Sequence, residues 1–289
     1  MSPQHSSAEV GVAHLAADTS AGPGAGPVDG DAADHVRIDG LSLRYRGRDG
    51  SQVHALDNVD LRIKNREFVA VLGPSGCGKS TLLKVLAGLV EPTEGTVSFV
   101  GEDGRPASDL VGLVPQAATL MPWLRVVENV LLPAKILKLP RQPARDKAME
   151  LLDMIGLKGF ERRYPRELSG GMQQRVAIAR ALLHDPKILL MDEPFAALDA
   201  LTRERLSAEL QSVWLSTGKT AFFVTHSISE AVFLADRVLV MSRRPGRILT
   251  EFTVPDGRPR GIDQLSPESA QIAASIRTVL ESDASQEWK

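Results

Sequence analysis

Short, largely apolar runs alternate along most of this chain with stretches whose apolar residues return every three or four positions. The runs are Phe68 to Leu72, Leu110 to Val114, Ile188 to Met191, Phe222 to Thr225 and Val238 to Met241. Runs of this length and composition suit strands buried on both faces of a parallel sheet. Between them Leu82, Val85, Leu86 and Leu89, and later Val176, Ala179 and Leu183, recur at helical spacing. Strands alternating with helices predict an α/β core. Upstream, Val36-x-Ile38, Leu41-x-Leu43 and Leu61-x-Ile63 alternate as half-buried strands do, and Thr96 to Val100 adds another candidate. Gly47-Arg48-Asp49-Gly50 reads as a hairpin turn, so a small antiparallel sheet is expected beside the core.

From Pro122 to Pro165 the strand signal disappears. Val126, Val127, Val130 and Leu131, then Ala144, Ala148, Leu151, Leu152 and Ile155, repeat at helical spacing, with Pro143 placed to open the second helix and Gly156 to close it. After Pro255 come polar turns and one amphipathic helix from about Pro267 to Leu280. Residues 1–34 are rich in Ala, Gly, Pro, Ser and Asp and offer too few large apolar side chains to offset the entropy of ordering them. The expected organisation is a disordered tail over 1–34 and a main α/β domain over 35–262 with a helical insertion at about 122–165. A C-terminal helix and tail over 263–289 follow, too short for a separate regulatory domain.

Composition narrows the function classes. With 289 residues and 43% hydrophobic content, the chain can bury a large core. A formal charge of -2 leaves no broad positive field, so nucleic acid is not an expected partner. Arg162, Arg163, Arg166, Arg258 and Arg260 then read as solvated faces, and Trp214 and Trp288 as packing and tail composition. Cys77 is the single cysteine, which excludes an intramolecular disulfide and fits a reducing compartment. No apolar run approaches the roughly 20 residues of a membrane span, and the N-terminus lacks a basic segment followed by an apolar one. A cytoplasmic protein that reaches a membrane through another protein is the expectation.

Three segments carry chemistry. Gly73-Pro74-Ser75-Gly76-Cys77-Gly78-Lys79-Ser80-Thr81 follows an apolar strand and opens a helix. This is the P-loop pattern, in which glycines let backbone N–H groups turn toward phosphate oxygens, Lys79 reaches the β and γ phosphates, and Ser80 offers a hydroxyl to Mg²⁺. Cys77 needs only to be small there, and alkylation of its thiol is expected to crowd the cradle, block ATP binding and be prevented by bound nucleotide. Ile188 to Met191 delivers Asp192-Glu193 to a strand end. A carboxylate there needs a cation, which Mg²⁺ supplies to Asp192, while Glu193 is placed to orient an attacking water. The third segment, Leu168-Ser169-Gly170-Gly171-Met172-Gln173-Gln174-Arg175, has Ser169 in an N-cap position. Taken alone it reads as an ordinary helix cap; its exposed N–H groups also make an anion site.

Together these residues resemble the nucleotide-binding subunit of ATP-binding cassette (ABC) transporters, over nearly all of residues 36 to 250. Leu168 to Arg175 is similar to that superfamily's signature. The resemblance implies a P-loop NTPase core with an antiparallel β subdomain and an inserted helical subdomain, ATP and Mg²⁺ as ligands, and a head-to-tail homodimer. In that dimer Ser169, Gly170 and Gly171 of one subunit contact the γ phosphate held by the other's P-loop. By the same resemblance Tyr45 stacks on adenine, Gln116 contacts Mg²⁺ and the attacking water, Asp199 lies at the dimer seam, and His226 contacts the γ phosphate. Read without it, a histidine ending an apolar strand is a core residue and a lone tyrosine is packing.

Leu120-Met121-Pro122-Trp123-Leu124 separates transport from non-transport members. In transporter subunits this place forms a groove for a short permease helix; the bland alternative is a buried tryptophan. Leu120 to Trp123, Phe195 to Arg203 and Ser242 to Ile248 look like the nitrate, sulfonate and taurine importer subfamily, with Met121, Arg243 and Ser227 as departures. The resemblance implies a peripheral ATPase on the cytoplasmic face of a bacterial membrane. It implies two permease subunits and an extracytoplasmic solute-binding protein as partners, and a small anionic or sulfonated solute. A soluble cassette ATPase, or an importer of a vitamin or pyrimidine precursor, is the alternative.

Overall fold

The computed structural model describes residues 33–47, 50–261 and 265–285. The expected tail falls almost wholly outside them, as do Arg48 and Asp49 of the expected turn and Trp288. A hairpin opens the described chain: β1 (Asp34–Arg46) pairs antiparallel with β2 (Gln52–Lys64), and β4 (Glu94–Phe99) adds to the other edge of β1. The two strand candidates at Val36 and Leu41 form one strand because Gly40, at φ 56°, lets the chain slip register between Ile38 and Leu41 without breaking it.

A six-stranded sheet carries the rest, in the order β5-β6-β7-β3-β8-β9. It comprises β3 (Phe68–Leu72), β5 (Val111–Val114), β6 (Ile188–Asp192), β7 (Thr220–Val224), β8 (Arg237–Met241) and β9 (Ile248–Thr253). All neighbours are parallel except β8 and β9. Period-two alternation sends the apolar runs to two separate cores. Phe68, Ala70 and Leu72 join Phe223, Val238 and Val240 in one, while Val69 and Val71 join Phe222, Leu239 and Met241 in the other. The second core also takes Ile38, Leu41, Leu56 and Val59 from the antiparallel sheet and Leu82, Leu83 and Leu86 from α1 (Lys79–Leu86). Both sheets therefore close over α1, the helix that begins at the P-loop. Burying each of these phenylalanines stabilises the fold by roughly 1.5–3 kcal/mol.

The other face of the sheet is covered by helices. The insertion folds as α3 (Val126–Val130), α4 (Leu132–Ile136) and α5 (Arg141–Met154), followed by α6 (Gly170–Leu182). Helix α5 begins two residues before Pro143, which sits in the first turn, where no N–H is missed. Gly156, at φ 69°, follows the helix. Helices α7 (Ala200–Thr217), α8 (Ile228–Leu234) and α9 (Pro267–Ser285) complete the layer, and α9 buries Ile276 in the same core.

Three sequence expectations fail for local or tertiary reasons. Leu110 ends a short helix, α2 (Ala107–Leu110), rather than starting β5. Leu89 points to solvent because α1 stops at Leu86 and Gly88 takes φ 67°. Arg258 and Arg260 do not lie on solvated faces. Arg258 stacks on Trp214 at 4.2 Å and pairs with Asp236 at 2.6 Å, and Trp214 meets Phe68 edge-on at 5.6 Å. Arg260, 7% exposed, donates to the carbonyls of Val232, Phe233 and Ala235, closing the open end of α8. Burial pulls its guanidinium pKa down to about 10, yet it stays charged at neutral pH.

Candidate functional site

The parallel strands end on one edge, and their register lines up the candidate residues. Asp192 sits opposite Val224, and Val224 opposite Val71, so β6, β7 and β3 finish in one row. The next residues are Glu193, Thr225-His226 and Leu72-Gly73. Val114 pairs with Met191, which brings exposed Gln116, two residues past β5, to the same edge.

At the P-loop, Gly76 and Gly78 take φ 76° and 116°, conformations that a side chain strains. A Cβ on Gly78 would also stand 2.8 Å from the Ala55 carbonyl oxygen of β2. Lys79 is 5% exposed and folds back so that Nζ donates to the carbonyls of Gly73 at 2.8 Å and Pro74 at 3.0 Å. Such a lysine already aims along the loop interior and has to exchange two neutral acceptors for a phosphate. Ser80 and Thr81 follow in the first turn of α1.

Cys77 is oriented differently from the sequence expectation. Its side chain is 1% exposed, belongs to the second core, and burial pushes its thiol pKa up. A Cβ on Gly73 would come within 2.8 Å of its Sγ, so Gly73 makes room for this sulfur beneath the cradle. Alkylation of the folded protein is therefore expected to be slow with or without nucleotide and to become fast in denaturant. Mass spectrometry of timed maleimide labelling checks this, and rapid labelling of native protein contradicts it.

The carboxylates meet the P-loop through side chains. Ser80 Oγ donates to Asp192 Oδ1 at 2.8 Å. Burial pushes the Asp192 carboxyl above its usual range, and the Ser80 hydroxyl pulls it partly back. Glu193 takes φ 43°, uncommon for a residue with a side chain, and is held there by its N–H donating to the Val224 carbonyl at 2.9 Å. Its carboxylate lies between two partners, with Oε1 4.0 Å from Lys79 Nζ and Oε2 3.0 Å from His226 Nδ1.

Ser169, Gly170 and Gly171 gather elsewhere. Ser169 caps α6, its hydroxyl accepting from the Met172 N–H at 3.3 Å. Gly171 lets α6 approach α7, since an added Cβ would lie 3.3 Å from side-chain carbons of Thr202 and Leu206. Asp199 caps α7 by accepting from the Thr202 N–H at 3.0 Å, and that bond holds its carboxyl below the usual range. A cleft of about 380 Å³ opens here, lined by Ser169, Gly171, Met172, Arg175, Thr202 and Arg205 among others, with no P-loop residue in its wall. Tyr45, near the end of β1, is exposed and pairs with Val53, two residues before the Ala55 carbonyl that abuts Gly78.

Two features were not read from the sequence. Glu230, buried in α8, accepts from Thr225 Oγ1 at 2.5 Å and lies 3.5 Å from Arg203 of α7, bracing the turn that presents His226. Its signal was Ser227-x-x-Glu230, a capping-box spacing, and the Ser227 hydroxyl does accept from the Glu230 N–H at 3.3 Å. Asn129, fully buried, is the other. It accepts from the Met121 N–H and donates to the carbonyls of Met121, Leu124 and Arg125, tying the 121–125 loop into a fixed turn. Trp123 at its tip is 70% exposed, so the alternative of a buried tryptophan is wrong.

A parallel sheet with a Gly-x4-Gly-Lys-Ser loop at its strand ends, facing an Asp-Glu pair, defines a P-loop nucleotide-binding core. The ABC transporter family model matches residues 56–196. The chain is 46% identical over 258 residues to the taurine import ATP-binding protein TauB of Rhizobium johnstonii, covering 86% of this chain and 97% of that one. It is 47% identical over 213 residues to the aliphatic sulfonates import ATP-binding protein SsuB of Bacillus cereus, covering 74% and 83%. Among solved structures, the ATP-binding cassette MJ0796 in a dimeric post-hydrolysis state bound to ADP and Pi aligns with a TM-score of 0.66 at 36% identity, over 77% of this chain and all of that one. The chain belongs to the ATP-binding proteins of ABC transporters. It is an ATPase by that membership, with the antiparallel, parallel and helical parts of a cassette fold.

Proposed function

We propose that the chain is the ATP-hydrolysing subunit of an importer for a small sulfonated solute, acting as a homodimer on the cytoplasmic face of a membrane. The solute class follows the names of the TauB and SsuB relatives. Transport, rather than a soluble role, is favoured by one observation: Trp123 held out to solvent by the buried Asn129. An aromatic fixed in this way suits a groove that receives a partner helix. The partners are two permease subunits, with an extracytoplasmic solute-binding protein delivering solute. Among the described residues no helix is long and apolar enough to cross a membrane.

In this reading Gly73 to Thr81 cradles the triphosphate, Lys79 contacts its β and γ phosphates, and Tyr45 stacks on adenine. Glu193 orients the attacking water, Gln116 contacts that water and would contact Mg²⁺, and His226 contacts the γ phosphate. Ser169, Gly170 and Gly171 of the partner subunit cap the γ phosphate, and Asp199 lies at the seam. The residues fit Mg²⁺ as well. The Ser80 hydroxyl and the Asp192 carboxylate, whose burial that hydroxyl only partly offsets, are hard oxygen donors. Among the described residues no group of three or more His, Cys, Asp or Glu side chains could hold a metal. Ser80, Gln116 and Asp192 would hold the ion, and its positive charge would offset the charge developing on the phosphates. ATP drives closure of the dimer only by binding the closed form more tightly than the open one, which the bridging contacts of the signature supply.

Co-purification tests this. Tagged protein drawn from detergent-solubilised membranes is expected to bring down a polytopic permease. Trp123→Ala is expected to weaken that association at least about 10-fold, as loss of an aromatic anchor does, while the isolated subunit's ATPase rate stays within about twofold. Eluates free of membrane protein would favour a soluble cassette ATPase.

A further inference from the structure

Behind the phosphate cradle runs a short strap, residues 242–247, between β8 and β9. Its fork is Arg244, whose Nε and Nη2 both donate to the carbonyl oxygen of Gly76, at 3.2 and 3.0 Å. Gly246 packs so close that an added Cβ would stand 2.2 Å from the Cys77 carbonyl oxygen, and its own N–H donates to Ala55 of β2 at 2.9 Å. The first turn of the strap is held from the far side, because Asp283 Oδ2, near the end of α9, accepts from the Arg243 N–H at 3.0 Å. The C-terminal helix, the strap and the P-loop are thus joined in series.

A trans peptide points its C=O and N–H in opposite directions. Gripping the Gly76 carbonyl from outside therefore aims the Cys77 N–H into the loop, where it now makes only a long bond to the Pro74 carbonyl at 3.3 Å. Gly76 sits at φ 76°, with no side chain to limit its swing. Without an outside hold this peptide can flip and present a carbonyl to an incoming phosphate.

We infer that Arg244 is a positioning residue for nucleotide, fixing the Gly76–Cys77 peptide with its N–H toward phosphate, and that α9 supports it through Asp283. The inference rests on residues 73–81 being the phosphate cradle. A structural arginine would affect folding and the active fraction; a positioning arginine shifts affinity. Arg244→Ala is expected to raise the Kd for ATP and for ADP alike about 10-fold and to raise KM, with kcat at saturating ATP within about twofold and the nucleotide-free melting temperature little changed. Arg244→Lys keeps the charge without the two-point grip and is expected to recover only part of the affinity. Asp283→Ala is expected to raise the same Kd about threefold. The double variant Arg244→Ala/Asp283→Ala should resemble Arg244→Ala alone, because the two act through one element. Unchanged nucleotide affinity in Arg244→Ala, or effects of the two substitutions that multiply, would overturn the inference. Lys79→Ala separates the two levels: if it too leaves affinity unchanged the cradle reading fails, whereas weakened binding there beside unchanged Arg244→Ala refutes the strap alone.

Discussion

Replacing Glu193 by Gln is expected to stop turnover while leaving ATP affinity within about twofold. The carboxylate sits at the strand edge, between Lys79 Nζ at 4.0 Å and His226 Nδ1 at 3.0 Å, in a backbone conformation that costs about 1 kcal/mol or more. Glutamine keeps the volume and one oxygen but loses the negative charge that polarises water. Loss of a group in this role typically lowers the rate by at least about 100-fold. Since binding survives and hydrolysis does not, a nucleotide-bridged dimer should accumulate. Phosphate release and gel filtration in the presence of ATP measure the two effects; a chain that stays monomeric under those conditions contradicts nucleotide sharing.

Lys79→Ala is expected to act a step earlier, on binding itself. The ammonium is buried; its hydrogen-bond partners are two backbone carbonyls and the Glu193 carboxylate stands 4.0 Å away, so a triphosphate gives it a closer, charge-assisted acceptor at little cost in rearrangement. Removing a charged hydrogen-bond donor costs about 1.5–3 kcal/mol, which is roughly 10- to 100-fold in Kd. Equilibrium titration with a fluorescent ATP analogue reads this directly. Unaltered affinity would show that the lysine does not touch phosphate.

The parallel core was legible because its strands are short and apolar on both faces. Phe68 to Leu72 and Val238 to Met241 are buried throughout, and the first leads straight into the P-loop. Strand β9 was harder to see. Only Ile248, Thr250 and Phe252 turn partly inward, while Leu249, Glu251 and Thr253 face solvent on the sheet's edge, so the segment lacks the signature of its neighbours. The helix end was legible where glycine marks it, as at Gly156, and was misplaced where an apolar residue lies beyond the cap, as Leu89 does. Arg258 and Arg260 were misread because charge alone predicts solvent. Their burial is made tolerable by an aromatic face, an aspartate and the free carbonyls of a helix end, all brought in from distant parts of the chain.

The candidate site divides the same way. Asp192, Glu193 and the P-loop glycines follow from local pattern. The Lys79–Glu193–His226 arrangement needs three strand ends set side by side, which no local pattern states. The direction of Cys77 was invisible for a related reason: its neighbours in sequence are loop residues, while its neighbours in space are core.

The P-loop and the Ser169 cleft have no wall in common. If each triphosphate needs both, a solitary copy owns two half-sites of opposite kind and completes neither. Specific activity of the isolated subunit should then climb with its own concentration, and the rate per volume should grow as the square of protein added in the dilute limit. Scarce, unassembled copies would sit almost idle, so that fuel is consumed chiefly where a membrane scaffold holds two of them together.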